Sequence, residues 1–219
     1  MIEKITRRGA LAALVGLVGV VSSVGYLALR GNSTEQSLRV LAADVSHTQQ
    51  KKTRKYKTEN LRNDTDDILL ARMIFGEARD CADQEKIAVA YTAINRIDDG
   101  KRQNGTTLKE VLLAPDQYSC FNRRDKNRTK LMDPDKYGKK EFEHCLLLAR
   151  VLMAKKYKDP TNGATHYHAA YARPLWSLSP SMKKIGRIET PEGKSAHIFY
   201  REEINQTQKN TLRPRKRRK

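Results

Sequence analysis

The chain has 219 residues, and its 43 Lys and Arg outnumber its 25 Asp and Glu for a formal net charge of +18. An apolar first segment and a basic last one leave roughly 140 residues for a core, the size of one ordinary domain. The charge favours an anionic partner (nucleic acid, anionic lipid or an anionic wall polymer) without choosing among them, and Cys81, Cys120 and Cys145 form neither a CxxC pair nor a zinc-ligand spacing.

Residues 10–29, ALAALVGLVGVVSSVGYLAL, carry no charge, and at helical rise twenty residues span about 30 Å, the thickness of a bilayer core. Lys4, Arg7 and Arg8 precede them, so the positive-inside rule keeps the N-terminus in the cytoplasm and sends the rest across the membrane. The segment reads as a retained anchor, as a cleaved signal with Leu41-Ala42-Ala43 the nearest weak cleavage site, as a twin-arginine-like signal starting at Thr6-Arg7-Arg8, or, given its Gly and Ala, as a weakly held segment that later leaves the bilayer. Outside the cytoplasm one disulfide plus one free thiol is open to the three cysteines; three core cysteines is the plainer alternative. Residues 31–62, with QQKKTRKYK at their centre, lack an apolar period and read as a basic flexible linker. Residues 63–203 read as the globular domain and 204–219 as a disordered cationic tail.

Within the domain, Leu70, Met73, Ile74 and Glu77 recur at spacings of three and four and share one face of an amphipathic helix capped by Asp64 or Asp66. Glu77 then points with the apolar residues, where its charged form is disfavoured and its pKa is expected to rise, as a general acid at neutral pH requires. The plain alternative is a rim glutamate paired with Arg72 or Arg79. A second helix capped by Asp83 runs to about Ile97, and Thr107 with Glu110 fits a capping box before a short helix ending at Pro115. Residues 116–140 read as loop. Residues 141–157 read as a helix striped with Phe142, Cys145, Leu146, Ala149 and Met153, stopped by Asp159-Pro160-Thr161-Asn162-Gly163. The period then changes: 164–168 and 196–200 alternate as strands. A helical half followed by a short antiparallel sheet is an α+β arrangement.

In this order, Leu69 to Arg79 (LLARMIFGEAR), Ile87 to Arg96 (IAVAYTAINR), Gln117-Tyr118-Ser119-Cys120-Phe121, Asp159 to His168 (DPTNGATHYH), Trp176 and Ala196-His197-Ile198-Phe199-Tyr200 resemble the SleB-type cell wall hydrolases, the group of spore cortex-lytic enzymes and some phage endolysin domains. The resemblance spans residues 64–201. It implies a small, mainly helical, lysozyme-like domain that cleaves peptidoglycan glycan strands as a lytic transglycosylase, without metal or cofactor, and it maps the essential acid onto Glu77. Asp80-Cys81-Ala82-Asp83 stands where the family usually has a small loop such as Gly-Glu.

Glycosidic cleavage passes through an oxocarbenium-like transition state, and ordinary glycosidases need two carboxylates. In a lytic transglycosylase the sugar's C6 hydroxyl attacks, so one Glu serves as acid and then base. Asp80 and Glu85 read as solvated first-turn residues rather than partners of Glu77. Gln117, Tyr118 and Ser119 are candidates to bind the N-acetyl group from a loop, and Tyr167 and Trp176 to stack on sugar faces. Trp176 as plain core and Ser119 as a turn-holding hydroxyl are the alternatives. His166 and His168 share a face, and Glu77 or His197 is the conceivable third ligand of a metal site, which the family does not imply. Asn95 and Arg96 read as a polar helix end.

The resulting expectation is a monomeric, membrane-anchored or exported peptidoglycan hydrolase with its catalytic domain on the extracytoplasmic side. An N-acetylmuramoyl-L-alanine amidase and a non-enzymatic basic wall- or nucleic-acid-binding protein are the alternatives. No specific nucleic acid is expected, because no recognition motif accompanies the basic runs.

Overall fold

A computed structural model describes residues 55–99, 101 and 105–203. The apolar segment 10–29, most of the linker and the basic tail lie outside the described residues. Among those described, no helix is long and apolar enough to cross a membrane.

The helices come first: α1 (Asp66–Ala78), α2 (Asp83–Asp98), α3 (Leu108–Leu113), α4 (Arg128–Met132), α5 (Pro134–Tyr137) and α6 (Lys139–Met153). The strands follow: β1 (His166–Ala169), β2 (Met182–Gly186), β3 (Glu189–Thr190), β4 (Gly193–Lys194) and β5 (His197–Glu202). This is a mixed helical domain with a short antiparallel sheet. The sheet has the order β1-β5-β2 with both pairings antiparallel, and β3 and β4 form a separate ribbon.

The first helix is not amphipathic. Every residue from Ile68 to Gly76 is buried, because α1 runs through the middle of the helical half with α2, α3, α4 and α6 packed around it. Phe142 of α6 meets Phe75 edge-on at 5.8 Å and Tyr56 at 4.9 Å. Arg72, 1% exposed, is held by Asp64 at 2.7 Å and by the carbonyls of Tyr56 and Leu131. A buried guanidinium is tolerable only when paired and hydrogen-bonded in this way, and these bonds occupy the arginine that sequence offered as a partner for Glu77.

Several boundaries move. The N-caps are Thr65 and Ala82 rather than Asp64 or Asp66 and Asp83. Asp64 serves Arg72, while Asp83, already helical, binds His144 and Lys86. The capping box of Thr107 and Glu110 is formed in both directions. The stretch expected as loop holds a 3₁₀ turn (Ser119–Phe121), α4 and α5, and α6 starts at Lys139 and ends at Met153. The three cysteines are free thiols, with Cys120 and Cys145 buried.

After α6 the Asp159 turn is built by its own side chain. The carboxylate accepts from Thr161 N–H, Thr161 Oγ1, Gly163 N–H and Asn95 Nδ2. Asn162 and Gly163 take left-handed φ of 51° and 85°, a conformation that Asn and Gly adopt most cheaply. The turn delivers the chain into β1, where Arg96 Nε donates to the Thr165 carbonyl at 2.7 Å. Asn95 and Arg96 therefore do more than end α2: they fasten the sheet to it.

Candidate active site

Glu77 is the penultimate residue of α1, where the helix runs out of the core. Its Oε1 accepts the Cys120 backbone N–H at 2.8 Å and the Ser119 hydroxyl at 3.1 Å. Neither arginine of the alternative reading reaches it. Arg79 instead donates to Asn127 Oδ1 at 3.2 Å, and its guanidinium lies 5.6 Å from the centre of the Phe75 ring.

The loop that meets Glu77 is positioned by alternation. Tyr118 and Cys120 point inward and are buried; Gln117 and Ser119 point outward. The Tyr118 hydroxyl lies 3.3 Å from Thr92 Oγ1, and the Arg96 guanidinium stands 5.2 Å from its ring centre. Cys120 packs directly on Gly76: a Cβ added there would fall 2.5 Å from Cys120 Cβ and 2.8 Å from its Sγ. Glycine at this position lets the loop approach the helix closely enough for the Cys120 N–H to reach the carboxylate of the next residue. Arg96 joins the two halves of the site, since Nη1 donates to Gln117 Oε1 at 2.8 Å while Nε holds β1.

Tyr167 comes from β1 on the same side. Its ring meets His197 edge-on at 5.1 Å and lies 6.4 Å from Tyr118 and 6.1 Å from Phe199. Burial first, and then the negative charge of Glu77, with which its hydroxyl hydrogen-bonds, push the Tyr167 phenol well above its ordinary pKa. It remains a protonated donor throughout the physiological range.

The sheet sorts the other sequence candidates. Tyr167 pairs across from Phe199, and Ala169 from His197, so these side chains share one face. His166 and His168 lie on the other, with Trp176 5.4 Å and 5.5 Å from their rings and 5.4 Å from Tyr200. Trp176 therefore packs on the face opposite Tyr167, and the two do not form one platform. Tyr118, 2% exposed, is an anchor of the loop and offers a ligand no surface. The third ligand imagined for His166 and His168 is likewise misplaced, since His197 and Glu77 belong to the opposite side. His166 meets Thr165 Oγ1 at 2.9 Å and His168 meets the Tyr200 hydroxyl at 3.1 Å. Burial, and then the charge of Arg96, lower the His166 pKa to about 4.

Of the two neighbouring acids, Asp80 is 88% exposed, but Glu85 is not solvated as expected. It is buried and accepts from the His197 backbone N–H at 2.8 Å and bonds His197 Nδ1 at 2.7 Å. These bonds hold its pKa below the usual carboxylate value against the opposing effect of burial. Among the described residues, neither acid supplies Glu77 with a carboxylate partner.

Sequence reasoning took Arg96 for a polar helix end and Glu85 for a solvated residue, and did not single out Gly76. Gly76 did leave a signal: glycine inside a helix costs about 1 kcal/mol relative to alanine, and so marks a packing need.

A family model described as Cell Wall Hydrolase matches residues 82–200, more than half of the chain. The chain belongs to that family and is an enzyme of the cell wall. The matched stretch begins five residues after Glu77 and contains Gln117, Ser119, Tyr167 and His197. Two solved structures are similar. One is the catalytic domain of the germination-specific lytic transglycosylase SleB from Bacillus anthracis, 22% identical with a TM-score of 0.43, covering 63% of this chain and 96% of that one. The other is the catalytic domain of the Bacillus cereus SleB protein, 21% identical with a TM-score of 0.43, covering 68% of this chain and 98% of that one. Comparison with curated proteins gives no match.

Proposed function

We propose that the domain is a lysozyme-like peptidoglycan hydrolase that cleaves the glycan strand as a lytic transglycosylase, with Glu77 as its acid and base. The observation that carries this reading is the carboxylate at the end of a buried helix, with two donors fixed on one oxygen. With Oε1 held as an acceptor, the acid proton belongs on Oε2.

Glu77 protonates the glycosidic oxygen as the C1–O bond breaks, a contribution of roughly 10²- to 10⁴-fold. The C6 hydroxyl of the same sugar then attacks C1 and returns its proton to Glu77. The products are a 1,6-anhydro end and a new free hydroxyl, and the enzyme is regenerated. The donors from Cys120, Ser119 and Tyr167 orient the carboxylate and stabilise it between the two transfers. The exposed edges of Gln117 and Ser119 would bind an N-acetyl group, with Tyr167 as the wall beside the acid. In this reading residues 1–30 carry a monomeric domain to the extracytoplasmic side, either as an anchor or as a signal. Residues 31–62 act as its linker, 63–203 are catalytic, and the cationic tail 204–219 adds attraction to anionic wall polymers.

Product analysis by mass spectrometry on purified peptidoglycan, with wild type beside Glu77→Gln, tests the reading. The expected result is 1,6-anhydro ends from wild type and a rate at least a hundredfold lower from the variant. Reducing ends would replace the intramolecular attack by water. Freed peptides would mean an amidase, and wild-type clearing by Glu77→Gln would remove Glu77 from the chemistry.

A further inference from the structure

Away from the Glu77 carboxylate, a group of metal-ligating side chains converges among the described residues. Cys81 Sγ, a Glu85 carboxylate oxygen and a His197 ring nitrogen all lie within 4.8 Å of one another. Cys81 sits in the turn before α2, Glu85 in the first turn of α2, and His197 opens β5. Glu85 is buried and the other two are half-buried. In a tetrahedral zinc site with bonds of about 2.0–2.3 Å, neighbouring ligand atoms lie roughly 3.3–3.8 Å apart. The three donors, all within 4.8 Å of one another, are at most about 1–1.5 Å wider than that spacing.

The protons show how the group is wired without a metal. The Cys81 thiol hydrogen-bonds Glu85. His197 Nδ1 meets the same carboxylate at 2.7 Å. A thiol and an imidazole both aimed at one buried carboxylate put protons where a cation would sit. The facing charges are few. Lys86 is bonded to the Cys81 carbonyl at 2.6 Å and to Asp83 at 3.2 Å, and it favours the thiolate; Asp80 acts in the opposite sense.

We propose that Cys81, Glu85 and His197 form a binding site for a borderline-soft divalent cation of the zinc type. The sulfur, nitrogen and oxygen donors suit zinc and do not suit magnesium or calcium, which take oxygen. Three protein donors leave a fourth position for water. The metal clips the start of α2 to β5, directly behind the His197 ring on which Tyr167 rests, and so stiffens the strand face that supports the site. This is a positioning role, separate from the glycan chemistry: failure of the Glu77 reading would leave it standing, and its own failure would leave Glu77 in place.

The test uses the full chain, reduced and stripped of metal. Cobalt(II) titration of wild type is expected to give a near-ultraviolet thiolate-to-metal band that saturates at one equivalent. Zinc competition against a chromophoric chelator should show one site and the release of one proton. Saturating zinc should raise Tm by about 5 °C or more. Cys81→Ser should abolish the band and the Tm shift and weaken zinc at least tenfold. Glu85→Gln should keep a weakened band, which guards against a misfolded Cys81 variant. Absence of the thiolate band in wild type, or equal zinc affinity in wild type and both variants, overturns the proposal.

Discussion

Gly76→Ala adds one methyl group at the tightest contact of the site. Two effects oppose each other. Alanine favours the helix by about 0.5–1 kcal/mol, whereas its Cβ would arrive 2.5 Å from Cys120 Cβ, 2.8 Å from Cys120 Sγ and 3.3 Å from Leu131 Cδ2. Overpacking a buried site costs about 1–3 kcal/mol, so the net expectation is a loss of ~1–2 kcal/mol, read from urea unfolding midpoints. Relief of the clash moves the loop outward, which lengthens the Cys120 N–H bond to Glu77 from 2.8 Å. Clearing of a peptidoglycan suspension should therefore slow by more than the unfolded fraction explains. Cys120→Gly removes the opposing Cβ, and the double variant should be less impaired than the two single losses summed, with a coupling of about 1 kcal/mol or more. A Gly76→Ala protein as stable and as fast as the parent, or a strictly additive double variant, would show that the close approach of loop and helix does not set the site.

Other expectations follow from the same geometry. Tyr167→Phe keeps the ring and loses the donor to Glu77; kcat should fall about tenfold with an unchanged circular dichroism spectrum. Arg96→Met leaves the Thr165 carbonyl and Gln117 without their donor and should cost about 1–3 kcal/mol in denaturant unfolding. His166 has a folded pKa lowered from 6.5 to about 4. Its neutral form therefore contributes stability that is fully present above pH 6.5 and is lost as the pH falls towards 4, by up to about 3 kcal/mol. His166→Asn should flatten the stability profile in that window.

The long helices were legible because each repeats its apolar spacing over several turns. The α3 start was legible because a capping box is a local signature. The short helices α4 and α5 carry too few turns for a period to show, so charge and a proline made them read as loop. Strand β2 is largely exposed and lacks an inward face to alternate. Glu77 was singled out by its spacing with Leu70, Met73 and Ile74, although α1 has almost no solvent face for that spacing to distinguish. Glu85 was misread because its partner lies 112 residues away. Trp176 was grouped with Tyr167 because their placement on opposite faces depends on register.

The strand order has a consequence for how the enzyme comes into being. Strand β1, which carries Tyr167, is an edge whose sole ladder partner is β5, and β2 also pairs only with β5. Glu77 emerges early, yet its donors are separated from it by 42 and 43 residues and Tyr167 by about 90. Contacts so distant along the chain form late in folding. Until the ribosome has released β5, neither flanking strand has a partner and the tyrosine wall cannot form. A nascent or truncated chain thus carries Glu77 without the donors and the tyrosine wall that surround it, so the proposed site is assembled only with the completed domain.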